Sequence, residues 1–237
     1  TVWNNQEGSL AVYCRRTYIS SIYAQHGYSW NKMDDKLLRI IVEGMHKNIS
    51  QSSHNNIKQG DIYYWYEAYR RLKEFDAREA ISFIEDYMDN DYEKEYLLFI
   101  LHFLQMEKDL STSAEVVKHI KRCKDMVPAG INTISFRDAY STSMKGSPII
   151  SNNDVRHIKG GGIVGLREFR GAITEIRGNT AGVIQIDGMN MTAIFIPSIV
   201  DESGTKREFT SKNVTDRVKF NLMFSYSGLR AWNVNFE

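Results

Sequence analysis

The first half of the chain places apolar residues at helical spacing. Between residues 9 and 25 they recur every three or four positions, and Gly27 follows as a stop signal. Later runs with the same period each follow a residue that can cap a helix. The caps predicted for these helices are Asp34, Asp61, Asp76, Asp91 and either Ser111 or Ser113. The pattern therefore predicts six helices that end near residue 125.

The spacing of two predicted caps indicates a repeat of paired helices. Asp61 and Asp91 are 30 positions apart, close to the 34-residue period of tetratricopeptide repeats. An early aromatic residue and two small residues, Trp65, Ala68 and Ala80, match the positions that this repeat needs for close packing. The leucine-glycine and proline positions of the motif are absent, so a non-repetitive helical bundle is the alternative.

From Gly171 onward the pattern changes to a period of two, which is typical of β-strands. Asp187-Gly188 and Ser227-Gly228 indicate tight turns, and the segment 201–213 reads as one long loop. The strands are predicted at about 171–177, 181–187, 190–196, 217–224 and 229–236. Five short strands in about 70 residues favour a small closed barrel, because closure removes the sheet edges. Val218, Phe220 and Trp232 are predicted to point inward.

These patterns predict an α+β protein in two parts. A helical-repeat, tetratricopeptide-like bundle over residues 1–126 is followed by a linker over 127–162 and a five-stranded antiparallel, OB-like β-barrel over 163–237. The linker is predicted from two of the three prolines, a polar run and the glycines 160–162. Because the chain begins at Thr1 within a polar approach to a helix, we expect it to be part of a longer polypeptide.

Composition narrows the classes of function. The formal net charge is +1, and residues 160–237 carry nine basic and eight acidic side chains, which argues against strong non-specific binding to polyanions. No apolar run reaches the roughly 20 residues needed to cross a bilayer, so no membrane contact is expected. The two cysteines, Cys14 and Cys123, lie in different helical segments, and we expect reduced thiols in the cytoplasm.

Sequence motifs for catalysis and for cofactors are not found. The six histidines show no H-E-x-x-H pattern or close metal-ligand spacing, and His102 is interpreted as a packed or surface residue. The run from Lys159 to Gly162 lacks the order of a Walker loop. We therefore expect no catalytic residues, no metal and no cofactor in this chain.

The barrel segment resembles the cold-shock and OB-type nucleic-acid modules. The resemblance rests on Gly171–Ile186, on Ile194-Phe195-Ile196 at the place of an aromatic third strand, on Val218-Lys219-Phe220 and on the run Gly228–Val234. It implies a single-stranded nucleic-acid-binding face, for which the candidate contacts are Phe195, Arg170, Arg177, Lys219 and Arg230. The second strand, however, carries Thr180-Ala181-Gly182-Val183-Ile184 where a cold-shock domain presents stacking rings.

The order of the parts resembles the C-terminal region of large STAND-type P-loop NTPases of innate immunity. These include the vertebrate sterile alpha motif domain-containing antiviral proteins and bacterial anti-phage relatives. The similar segments are Tyr64–Arg70, Glu79–Ile81, Glu95–Leu101, Ile120–Cys123 and the glycine run. The resemblance implies a non-catalytic sensor or interaction module, with any catalytic domains upstream of Thr1. Its partners would be another protein or upstream domains of the same polypeptide.

One aromatic cluster indicates where a protein partner could bind. Tyr63, Tyr64, Trp65, Tyr66 and Tyr69 exceed what one helix face can bury, since consecutive residues point in different directions. Exposed aromatic side chains favour protein contacts, which makes Trp65, Tyr66 and Tyr69 candidate interaction residues. Burial between repeats is the alternative. Protein binding by the helices is thus the first functional hypothesis, and weak single-stranded nucleic-acid binding by the barrel is the second.

Overall fold

The computed structural model describes residues 8–52, 57–107, 113–142, 146–151, 165–200 and 206–237. Within these ranges the chain forms six α-helices and then nine β-strands. The helices are α1 (Ser9–Gln25), α2 (Asp35–Ser50), α3 (Gln59–Tyr69), α4 (Ala77–Tyr87), α5 (Tyr92–Met106) and α6 (Ser113–Met126). None of these helices is both long enough and apolar enough to span a membrane.

The strands begin earlier than the period-two pattern indicated. They are β1 (Asp138–Tyr140), β2 (Ile149–Ser151), β3 (Glu168–Arg177), β4 (Ala181–Ile186), β5 (Thr192–Phe195), β6 (Ser198–Val200), β7 (Lys206–Glu208), β8 (Arg217–Ser225) and β9 (Gly228–Phe236). The predicted loop 201–213 contains β7, which pairs with β6.

Three of the predicted helix caps are confirmed by hydrogen bonds. The carboxylates of Asp34, Asp76 and Asp91 accept the backbone N–H groups of residues 37, 78 and 94. The prediction for Asp61 is wrong, because α3 begins at Gln59 and Asp61 lies in its first turn. Its carboxylate instead accepts two hydrogen bonds from Nε of Arg16, at 2.8 and 2.7 Å. A charged partner on α1 therefore decides the role of Asp61.

Five strands close into the predicted barrel. β3 pairs with β4, β4 with β5, β9 with β8 and β8 with β3, all antiparallel, whereas β5 pairs with β9 in parallel. The fourth barrel strand, β8, lies beside the first, β3, which is the Greek-key arrangement. The closed five-stranded barrel is thus confirmed, and one parallel pairing corrects the all-antiparallel prediction.

Two short strands extend the sheet from the segment predicted to be a linker. β1 pairs with β2 and with the C-terminal part of β8, where Asp138 lies opposite Phe224. Ala139 and Ile150 thereby cover the buried Met223 on the outer face of the barrel. The glycines 160–162 and the rest of residues 152–164 lie outside the described residues.

Trp232 belongs to this outer cluster. A bulge between Lys219 and Asn221 shifts the register, so that Trp232 lies opposite Asn221 and packs against the Met223 cluster. The prediction that Trp232 points inward is wrong because an extra residue in a strand reverses the facing of the residues beyond it. Val218 and Phe220 are buried as predicted, at 0% and 1% exposure.

The chain forms two compact units. The first comprises Thr1–Asn90 and Lys145–Ser147, and the second comprises Asp91–Met144 and Pro148–Glu237. Helices α5 and α6 therefore belong with the sheet, whereas the sequence prediction grouped them with α1–α4. The reason lies in α5, whose Phe99 and Phe103 rings pack 5.7 and 5.2 Å from the ring of Phe224.

Candidate binding surfaces and a histidine cluster

The aromatic residues of α3 are packed inside the first unit. Trp65, Tyr66 and Tyr69 are 2%, 2% and 5% exposed. The Trp65 ring stacks on Phe83 of α4, with 3.9 Å between centroids. The expectation that these side chains form a surface is therefore wrong, because packing within the unit buries all three, and α4 covers Trp65. Of the cluster, Tyr63 is exposed.

Phe195 is also buried, at 1% exposure. Its ring meets Phe209 edge to face with 5.3 Å between centroids. A Cβ atom on Gly182 would lie 2.3 Å from the Phe195 ring, so the glycine of β4 makes room for it. The Phe195 ring therefore accounts for the glycine in the Ala181-Gly182-Val183-Ile184 sequence of β4. The Phe195 ring is not available to stack on a base.

Three of the candidate cations lie on the surface near carboxylates. Arg177 Nε is 2.6 Å from Glu175 Oε1, and Lys219 Nζ is 3.6 Å from Glu168 Oε2. Arg170 shows the same distance, 3.6 Å, between its Nε and Glu237 Oε1. A phosphate would therefore compete with a carboxylate at each position. The surface is locally balanced, as the overall composition predicted.

Arg230, the remaining candidate, is half-buried on β9. Burial lowers the pKa of its guanidinium from the ordinary value. Its Nε is shielded from solvent and has no hydrogen-bond partner within the described residues. The structure thus does not bring the five predicted nucleic-acid contacts together on one open face.

A cleft separates α6 from one side of the barrel. Val117 and Ile120 of α6 line it, facing strand residues and the turn between β8 and β9. The other lining residues are Gln185, Asn190, Met191, Thr192, Ile194, Ser227, Gly228 and Leu229. Gly228 has a positive φ of 109°, and a Cβ there would lie 3.2 Å from Cγ2 of Ile120. Glycine therefore allows α6 to approach this turn.

Helix α1 exposes apolar side chains on its outer face. Leu10 and Tyr13 are 71% and 66% exposed, and Tyr18 is 45% exposed. Leu10, Cys14 and Tyr18 follow one another at intervals of four, so they form one stripe along the helix. The opposite face is buried through Ala11, Ile19 and Ile22. Apolar residues thus occupy both faces of α1, a feature that sequence periodicity alone did not reveal.

The second unit also contains a group of side chains suited to binding a metal. His102 of α5 and Glu115 and His119 of α6 each offer one ligand atom, and these atoms lie within 4.8 Å of one another. The two imidazole rings are parallel, with 5.1 Å between centroids and 7° between planes. The interval of four between Glu115 and His119 was the available signal in the sequence. It was missed because the third group lies on another helix.

Comparisons of the chain with protein-family models, with curated proteins and with solved structures found no match.

Proposed function

We propose that this chain is a non-catalytic interaction module that binds a polypeptide partner through the outer face of α1. The observation that carries the proposal is the exposure of Leu10, Tyr13 and Tyr18 along a helix whose other face is already buried. The interaction surface that we propose is therefore still helical, as the sequence suggested. It lies on α1 instead of around Trp65 and Tyr69.

The chemistry of this face suits a protein partner. A helix that is apolar on both faces normally has a second packing partner. Tyrosine and leucine side chains offer a polypeptide a large apolar contact area, and aromatic residues are enriched at protein interfaces. None of the exposed side chains Leu10, Tyr13, Cys14 and Tyr18 is basic, so these side chains offer no cation for a nucleic-acid backbone.

The biological setting that we propose rests on the resemblance to STAND-type NTPases. The module would be the sensor or interaction region of a larger antiviral or anti-phage protein of that type in the cytoplasm. The order of helices followed by a Greek-key barrel supports this proposal, since OB folds are five-stranded Greek-key barrels. In this setting the helices of residues 1–126 would be degenerate tetratricopeptide-like repeats, and the partner would be a protein or an upstream domain.

A capture experiment with matched variants tests the α1 surface. The tagged chain is incubated with nuclease-treated lysate from virus- or phage-infected cells. Leu10→Ser/Tyr13→Ser is compared with Tyr63→Ser/Ile134→Ser, which changes two apolar residues that are exposed elsewhere. We expect the α1 variant to lose the partner and the control to retain it, while circular dichroism spectra stay alike. Equal capture by both variants would contradict the proposal.

A second candidate function is weak binding of single-stranded nucleic acid in the cleft beside α6. The cleft adjoins β4, β5 and the β8–β9 turn, which are the second and third strands and the last loop of the barrel. OB barrels bind oligonucleotides at the corresponding strands and loops. Exposed Lys121 and Lys124 on α6 add positive charge nearby. Because Phe195 is buried, stacking of about 1–3 kcal/mol per base is not available from it.

Titration of a labelled single-stranded oligonucleotide distinguishes the two candidates. At near-physiological salt we expect dissociation constants of roughly 10⁻⁴ to 10⁻⁶ M, the range of non-specific binding. Lys121→Glu/Lys124→Glu should weaken this binding, whereas Lys36→Glu in the first unit should not. Nanomolar affinity for the oligonucleotide, retained in an excess of unrelated competitor nucleic acid, would instead identify the barrel as a specific nucleic-acid-binding domain.

A further inference from the structure

We infer that His102, Glu115 and His119 form a binding site for a divalent transition metal ion that ties α5 to α6. The inference does not depend on the proposed function. One ligand atom of each side chain lies within 4.8 Å of the others. Two imidazoles and one carboxylate are a donor set that suits zinc and its neighbours in the first transition row better than calcium or magnesium.

The hydrogen bonding of His119 prepares it as a ligand. Its Nδ1 lies 2.5 Å from Oε2 of Glu95, a carboxylate that is itself 2% exposed. Because an ionised carboxylate only accepts hydrogen bonds, Nδ1 carries the proton and a neutral imidazole keeps its lone pair on Nε2. Histidines that bind metals typically donate their other N–H to a carboxylate in this way. Glu95 therefore fixes both the tautomer and the orientation of the ring.

The burial of His119 Nε2 without a hydrogen-bond partner is the observation that indicates a ligand. The side chain is 3% exposed, and Nε2 has no hydrogen-bond partner within the described parts of the chain. Leaving such a buried group without a partner is unfavourable. The nearest carboxylate oxygen, Oε2 of Glu115, is 3.6 Å away, too far for a hydrogen bond. A metal ion bound between the two would satisfy both groups.

The remaining two residues complete the site from both helices. The His102 ring, whose two nitrogens are shielded from solvent, lies parallel to that of His119. Glu115 is 44% exposed and offers a route of entry for the ion. Three protein ligands leave a fourth position for water, as in many zinc sites. Because His102 belongs to α5 and the other ligands to α6, a bound ion would hold the two helices in one register.

Lys118 provides a specific control for this geometry. Its Nζ lies 2.6 Å from Oε2 of Glu115, so the lysine competes with a metal for the same carboxylate. Removing the lysine should leave metal affinity unchanged or strengthen it, whereas removing a ligand should weaken it. If Glu115 had only a structural role, removing Lys118 and removing Glu115 would not have these different effects on metal affinity.

The test is calorimetric titration of the whole 237-residue chain with zinc chloride. All proteins carry Cys14→Ser, because Cys14 is an exposed thiol that could bind zinc by itself. We expect one equivalent of zinc to bind, and Glu115→Gln and His102→Gln each to weaken binding by at least about tenfold. Lys118→Ala should bind as tightly as the parent or more tightly, and His46→Gln, which changes an exposed histidine of the first unit, should bind equally.

Cobalt substitution gives a second readout that does not depend on the stability of the variants. A site of two imidazoles and one carboxylate should show visible d–d absorption without a thiolate charge-transfer band. Zinc should also raise the midpoint of thermal unfolding of the parent but not of Glu115→Gln. Absence of saturable zinc binding, a thiolate band, or equal zinc affinity in Glu115→Gln and the parent would overturn the inference.

Discussion

The first unit and the β-barrel both contain arginine–carboxylate pairs, but the buried group around Glu67 lies in the first unit, whereas the pairs of the barrel strands lie on the surface. In α3 and the turn after it, the Glu67 carboxylate accepts hydrogen bonds from Arg70 Nη2 at 2.8 Å and from Arg71 Nη1 at 2.7 Å. All three side chains are at most 5% exposed. On the barrel, Arg217 donates to Asp187 and is 47% exposed.

Burial, rather than the number of pairs, determines how much an ion pair contributes to stability. Burial by itself disfavours a charged Glu67, but the attraction and hydrogen bonds of Arg70 and Arg71 outweigh it and hold its pKa at about 2. Breaking such a buried group leaves unpaired charge in the interior. Water and salt screen the exposed Arg217 pair, so its loss changes little. In contrast to the charged group around Glu67, the barrel interior contains apolar side chains, among them the buried Val218, Phe220 and Leu222.

The largest effect is expected for Glu67→Gln. Two buried arginines would lose their common anion, and we expect the free energy of unfolding to fall by about 3–5 kcal/mol, toward the upper end of that range. Urea denaturation of the purified chain, followed by circular dichroism, measures the change. Replacing Glu67, Arg70 and Arg71 together with apolar residues of similar volume should restore much of the loss. A single variant as stable as the wild type would show that water reaches the group.

The low pKa of Glu67 predicts that the free energy of unfolding depends on pH. Because the folded pKa of Glu67 is about 2 and its ordinary value is 4.5, its contribution is complete above pH 4.5 and is lost as the pH falls toward 2. The difference in stability between wild type and Glu67→Gln should therefore shrink over that interval. Denaturation curves at several acidic pH values measure it. A difference that stays constant would contradict the depressed pKa.

Phe220→Ala tests the apolar interior of the barrel. Phe220 is 1% exposed on β8, and loss of a buried phenylalanine costs about 3–5 kcal/mol through lost transfer energy and a cavity. Lys219→Ala, one residue earlier on the outer face, should cost little. Denaturation of both variants gives the ranking, and the reverse order would mean that the facing of β8 is wrong.

An intermediate effect is expected for Tyr96→Phe. The Tyr96 hydroxyl is buried on α5 and donates to Asp138 of β1 at 2.6 Å. Burial and this carboxylate raise the pKa of Tyr96 well above its ordinary value. Removing a hydrogen bond to a charged acceptor costs about 1.5–3 kcal/mol. A double-mutant cycle with Asp138→Asn measures the coupling between the two side chains, and purely additive losses would indicate independent roles.

The smallest effect is expected for Arg217→Ala. Its pair with Asp187 lies on the surface, where the hydrogen bonds of Arg217 lower the pKa of that carboxyl. The loss in stability should be within the error of a denaturation curve and should vanish at high salt. A loss as large as that of Glu67→Gln would contradict the distinction between buried and exposed pairs.

The sequence by itself determined the local elements. The period of 3.6 and the caps at Asp34, Asp76 and Asp91 predicted helices, and the period of two predicted the five barrel strands, because these signals act between neighbouring residues. Tertiary structure decided what each face meets. Packing buried Trp65, Tyr69 and Phe195, the bulge turned Trp232 outward, and β1 joined β8. Two helices brought His102 near Glu115 and His119. These outcomes depend on contacts between distant segments, and no periodicity along one segment records them.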